Sequence, residues 1–396
     1  MSVSKRMSSI SPSLTLAVSA KAKAMKEAGE NVISFGVGEP NFNTPAHIIE
    51  AGIDAMNKGY TKYTPSSGLP VLRKLICEKF QRDNHLSYEP SQIIVSNGAK
   101  HSIFNALFAL LDEGDEVILP APYWVTYPEV IKVVGGVPVA VQGARENQFK
   151  VTAKELESAI TPKTKLLILN SPSNPTGAVY TEEEIRAIAA VCERAGIYVL
   201  SDEIYEKLIY TDIKPFSIAC VSDYMKEHTI VVNGVSKTYA MTGWRLGYLA
   251  APKDIAKAID SFQSHATSNA CSISQYATIA ALKGDEAEVK MMVDIFRARR
   301  DKMMRILDEN GLSYVKPDGA FYVMLTVDET FGKTYHGKRI TGSVEFCDAL
   351  LEAEKVAAVP GIAFGDDGCV RLSYSLSMED MVEGLHRIAR FVKNLR

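Results

Sequence analysis

Residues 164–205 read TKLLILNSPSNPTGAVYTEEEIRAIAAVCERAGIYVLSDEIY, and the order of patterns within this stretch decides the fold. TKLLILN (164–170) is a short apolar run of strand length that ends in the turn-rich SPSNPTG. A longer amphipathic stretch follows, opened by Thr181 with Glu184 three residues on, which is a capping box, and stopped by Gly196. IYVLS then begins a second strand. Strand, helix, strand is the unit that builds parallel sheets. Working outward, QIIVS (92–96), AKHSIFNALFALL (99–111), DEVILP (115–120), a segment through PEVIKVVG (128–135), VPVAV (137–141) and TIVVNG (229–234) repeat the same alternation. A mostly parallel central sheet covered by helices on both faces is the expected core of an α/β protein.

Past Gly284 the pattern changes to one long charged helix, 286–310, ended by Gly311. GAFYVMLTV (319–327), a helix through VEFCDALLEAEK (344–355), VRLSYS (370–375) and a C-terminal helix then read as a smaller α+β domain. At 396 residues the chain exceeds the roughly 250 to 300 at which one core stops growing, which agrees with two domains. The expected division is 46–290 for the large domain, with 1–45 returning to join 291–396 in the small one. No stretch rich in Pro, Gly or Ser separates the two, so close packing is expected.

Composition removes whole classes of function. With 46% hydrophobic and 23% charged residues the chain is an ordinary globular protein. Forty-four basic against 47 acidic residues leave a formal charge of -3, so no global field favours nucleic acid or an anionic membrane. Lys5 and Arg6 are followed by a Ser-rich stretch rather than the apolar run of a secretory signal, and no window reaches the ~18 apolar residues of a membrane span. A soluble, cytoplasmic protein is expected. The six cysteines stand far apart, with no C-x-x-C pair and no histidine spaced to complete a zinc site, so no metal is expected.

Ligands of open α/β sheets gather beyond the carboxyl ends of the strands. Three such ends bring together Asn174, then Asp202 and Tyr205, then Ser236, Lys237 and, eight residues on, Arg245. Lys237 lies in the small and apolar context GVSKTYAMTGW, where desolvation and neighbouring cations favour a nucleophilic amine suited to Schiff-base chemistry; taken alone it also reads as a surface lysine. Asp202 should meet a cation, such as a protonated pyridine nitrogen, or else cap the next helix. Gly98 ends a strand and opens a helix whose first amides are able to cradle a phosphate. The G-x-G-x-x-G of a dinucleotide fold does not occur there.

SNPTG (173–177), SDEIY (201–205), SKTYAMTGWRLGY (236–248) and VRLSYS, in this order and with 28 residues from Asn174 to Asp202, resemble the class I aminotransferases of pyridoxal-phosphate (PLP) fold type I. The branch it looks most like is the bacterial-type aspartate aminotransferases, from PSLTLAVSAKA (12–22) through VGEPNFNTP (37–45) and YTPSSG (63–68) onward. The resemblance implies that Lys237 forms the internal aldimine and later shuttles the proton between Cα and C4′. It implies that Asp202 pairs with the pyridine nitrogen, that Asn174 and Tyr205 bond the 3-oxygen, and that Trp124 stacks on the ring. Arg245, the amides of Ala99 and Lys100, and Ser236 would hold the phosphate, with Tyr63 reaching that of a neighbouring subunit in a homodimer with shared sites. Arg371 and Gly38 would receive the substrate α-carboxylate end. Lys100, Thr15 and Ser13 match contacts to a distal carboxylate, which makes aspartate or glutamate with a 2-oxo acid the leading substrate pair. A lysine of the prephenate-using members is replaced here by Ser11. Carbon-sulfur lyases share this residue set, and aromatic or alanine transamination are further readings. A sensor built on the fold would need a DNA-binding module for which the chain has no room.

Overall fold

The computed structural model describes residues 3–396; Met1 and Ser2 of the 1–45 segment, and the side chains of Lys5 and Arg6, lie outside what it describes. The central sheet has seven strands: β1 (Ile93–Ser96), β2 (Glu116–Ala121), β3 (Val137–Gln142), β4 (Thr164–Asn170), β5 (Tyr198–Asp202), β6 (Thr229–Gly234) and β7 (Gly247–Ala250). Their order is β1-β7-β6-β5-β4-β2-β3. β7 runs antiparallel to both of its neighbours, and the remaining pairs are parallel. Alternation along β4 shows why both faces must be covered. Leu166 and Ile168 pack with Ile103, Leu107 and Ile131 of helices on one face, while Leu167 and Leu169 pack with Ile185, Ile188 and Cys192 on the other.

β7 was not among the strands expected from the sequence. Its four residues follow a turn rather than a helix, so no crossover announces them, and an antiparallel insertion needs none. The helices Ala46–Asn57, Pro70–Asn84, Lys253–Ala266 and Ser272–Lys283 were likewise not read. The capping box at Thr181 and Glu184 is formed, and Gly196 closes that helix in the left-handed conformation, φ 69°.

A second sheet, β8 (Tyr314–Val315), β9 (Tyr322–Thr326), β10 (Val359–Pro360) and β11 (Cys369–Ser373), is antiparallel in the order β10-β11-β9-β8. The N-terminal segment joins this end of the molecule: Ile33 and Ser34 pair in parallel with Val356 and Ala357, and Ala22 and Val32 bury against Leu351 and Ala357. The helix Ala287–Glu309 bridges both cores. It buries Val289 and Met292 with Ile48 and Leu72, and Phe296, Met303 and Leu307 with Phe321 and Leu372. Among the described residues no helix is long and apolar enough to cross a membrane.

Candidate active site

The carboxyl ends of β4, β5 and β6 open onto a cavity of about 540 Å³, completed by the start of the helix Ala99–Leu110 and by Arg371 of β11. Asp202, the last residue of β5, is 3% exposed. One of its carboxylate oxygens accepts from the Tyr127 hydroxyl at 2.7 Å and the other from the Ile204 amide at 3.2 Å. Turns rather than a helix follow it, so it does not act as a helix cap. Burial pushes its pKa up to about 6, against the pull of Tyr127, the Ile204 amide and Lys237. Among the described residues no cation forms an ion pair with it.

Lys237 lines the same cavity, and its amine donates to the Gly38 carbonyl at 2.6 Å. Burial lowers its pKa to about 8; Arg245 and Arg371 act in the same direction, and Glu39 and Asp202 oppose them. Asn174 lies across the cavity, its backbone amide held by the Asn170 side chain at 2.9 Å, and Asn170 in turn donates to the Asp202 carbonyl at 2.9 Å. The Tyr205 and Tyr322 hydroxyls share a hydrogen bond of 2.9 Å.

Two arginines are placed as if to receive anions. Gly98 has φ 88°, and a Cβ there would lie 2.4 Å from a terminal nitrogen of Arg245. The missing side chain lets this guanidinium sit over the first turn of the helix Ala99–Leu110. There a cation faces the positive end of a helix dipole, an arrangement that repels until an anion enters. Arg245 donates to the carbonyls of Thr242 and Asn97, at 2.8 and 3.4 Å. Arg371, 3% exposed, donates to the Asn174 side chain at 3.0 Å and to the Gly36 carbonyl at 2.9 Å, while its Nε is buried without a hydrogen-bond partner among the described residues. It also lies over the rings of Tyr322 and Phe364, at 4.5 and 5.0 Å. A buried guanidinium with no carboxylate is costly unless a ligand supplies one.

Of the other residues singled out from the sequence, Ala99, Ser236, Gly38, Trp124, Lys100 and Thr15 line the cavity. The Lys100 amine stands 4.8 Å over the Trp124 ring, and burial and Arg245 lower its pKa. Ser13 is off the cavity wall: it caps the helix Leu14–Glu27 and shares a hydrogen bond of 2.8 Å with Thr15. Tyr63 lies away from this cavity and is 91% exposed. Among the wall residues not expected from the sequence are Tyr127, Tyr322, Asn170 and Glu39.

Residues 30–388 match the family model described as aminotransferase class I and II. The aspartate aminotransferase of Geobacillus stearothermophilus is 51% identical, with 99% of each chain covered. Among solved structures, the aspartate aminotransferase of Rhizobium meliloti superposes with a TM-score of 0.96 at 43% identity, covering 100% of both chains. That of Thermus thermophilus with maleate gives 0.94 at 42% identity, over 99% of this chain and 100% of the other.

Proposed function

Because this chain belongs to the class I and II aminotransferases, we propose that it moves the amino group of aspartate or glutamate to a 2-oxo acid, in two half-reactions on PLP. The observation that carries this reading is charge. Among the described residues, Lys237, Arg245 and Arg371 converge on one cavity with no carboxylate in ion-pair contact with any of them, and no cation forms an ion pair with the buried Asp202. A ligand with a phosphate, a cationic ring and an amine-reactive carbonyl, together with a carboxylate-bearing substrate, would satisfy all four.

Bound PLP supplies an aldehyde that condenses with amines and a protonated ring that withdraws electrons from the substrate α-carbon. Arg245, the amides of Ala99 and Lys100, and the Ser236 hydroxyl hold the phosphate. Asp202, oriented by Tyr127, keeps the ring nitrogen protonated. Asn174 and Tyr205 would bond the 3-oxygen, and Trp124 would cover the ring. Lys237 is the amine that carries the cofactor; once free, its Nζ takes the α-proton and delivers it back, a task for which a pKa near neutrality is suited. Arg371 holds the α-carboxylate in a fork that lysine does not reproduce, with Gly38 beside it, and Lys100 and Thr15 face the distal carboxylate. The cofactor-binding part is 46–290, with 1–45 and 291–396 forming the second part. All six cysteines are free, as a reducing compartment keeps them, which supports a cytoplasmic location.

Specificity should divide between the two ends of the substrate. Arg371→Lys is expected to impair every amino donor. Lys100→Ala should lower kcat/KM for aspartate roughly 10-fold to 150-fold, the value of one charge-assisted hydrogen bond, and leave alanine nearly unchanged. An equal fall for aspartate and alanine, measured side by side, contradicts a distal-carboxylate role for Lys100.

Assembly gives another test. Tyr63 is 91% exposed in the single chain although it is a large aromatic, which fits its serving a partner's site in a homodimer. Mixing inactive Tyr63→Phe and Lys237→Ala subunits should restore activity by forming one intact site per heterodimer. A fully active monomer in light scattering contradicts the shared site.

A further inference from the structure

Glu39 has no part in the chemistry above, yet its carboxylate is fixed on the cavity wall. It follows Gly38, whose carbonyl accepts the Lys237 amine at 2.6 Å. One carboxylate oxygen accepts from the Thr242 hydroxyl at 2.6 Å, and the Glu39 backbone carbonyl accepts from the Ser375 hydroxyl. The side chain is thereby fastened to the turn that carries Arg245, and its backbone to the end of the strand that carries Arg371. Four charged groups act on the free Lys237 amine: Arg245 and Arg371, which oppose its protonation, and Glu39 and Asp202, which favour it. The phenols of Tyr205 and Tyr322 line the same cavity and are neutral, burial raising both and holding Tyr205 far above its ordinary range. Asp202 is committed to Tyr127 and the Ile204 amide and, in the reading above, to the ring nitrogen. Glu39 is the remaining anion.

We propose that Glu39 is the counter-charge that stabilises the ammonium form Lys237 takes on when its free amine accepts the substrate's α-proton, so that the proton stays on this lysine until it is returned. Glu39 is thus a positioning residue for that proton, acting through Lys237. The inference rests on Lys237 being the working amine. It also accounts for the Thr242 hydroxyl, which holds an otherwise solvent-exposed carboxylate in place.

The test uses the holoenzyme converted to its aminated form by excess amino-acid donor, a state in which Lys237 is free. Acetylation by acetic anhydride is followed against pH, peptide by peptide, by mass spectrometry. Glu39→Gln keeps the acceptor for Thr242 and removes only the charge. Its Lys237 midpoint should fall by about half to one pH unit below wild type, with the other lysines unmoved. A merely structural glutamate would not shift the ionisation of one lysine. An unchanged or raised midpoint overturns the proposal. If Glu39→Gln does not fold, Thr242→Val, which unfastens the carboxylate, must move the midpoint in the same direction, and an unmoved midpoint there overturns it equally. Should Lys237 of the wild type be no more reactive in the aminated form than before conversion, the fault lies in the assignment of Lys237 and not in Glu39.

Discussion

Lys237→Ala is expected to lower transamination by more than about 10⁴-fold, because the change removes both the nucleophile and the group that moves the α-proton. No neighbour is placed to substitute. The nearest cations are Arg245 and Arg371, whose guanidinium groups keep their protons at any working pH, and Lys100 is stacked over Trp124 at 4.8 Å. The fold should survive. The wild-type amine is half-buried, its pKa lowered to about 8 by desolvation, and it donates to the Gly38 carbonyl. The variant should still bind PLP through Arg245 and the helix start, but release it on denaturation even after borohydride treatment. Steady-state assays with aspartate and 2-oxoglutarate measure the loss; activity above about one part in a hundred contradicts the role.

Asp202→Asn should separate activity from stability. An aspartate about 4 Å from a ring nitrogen, at an effective dielectric of about 20, contributes about 4 kcal/mol, so its neutral isostere should lose roughly three decades in kcat. Retention of more than about a tenth of wild-type kcat, a loss under about 1.4 kcal/mol, would contradict the assignment. Stability of the cofactor-free protein should move the other way. The folded-state pKa of about 6 is raised above the ordinary 3.8, so the favourable contribution is complete below the unfolded value and is lost as pH rises through about 6. At pH 8 the wild type therefore carries a buried charge costing up to about 3 kcal/mol. The amide avoids this: its oxygen still accepts from the Ile204 amide, and its NH2 donates to the Tyr127 hydroxyl oxygen. Denaturant unfolding at pH 8 should find the variant at least as stable as wild type; a less stable variant contradicts the burial argument.

What could be read in the sequence follows from range. β4, its helix and β5 were legible because periodicity and a capping box are local signals. β7 was not, since an antiparallel strand entering from a turn has no crossover helix to mark it. Within the site, residues at strand ends were found because position in an α/β sheet predicts them. Tyr127 was not, although it belongs to PYWVTYP beside Trp124, because its bond to Asp202 spans 75 residues. Tyr322 meets Tyr205 across 117 residues and comes from the second sheet, so nothing local distinguishes it from a core tyrosine. Asn170 carries a local signal, a polar residue ending an apolar strand, of the same kind as those at the other strand ends. Ser13, matched by resemblance to a distal-carboxylate contact, also stands before an amphipathic run, and here it caps the helix Leu14–Glu27.

The central claim is that Lys237 carries the cofactor, and one measurement addresses it directly. Wild-type protein loaded with PLP is reduced with borohydride, digested, and the modified peptide identified by mass spectrometry. The account predicts a single modified lysine, Lys237, in the segment 234–245. Cofactor fixed on any other lysine, Lys100 included, contradicts it.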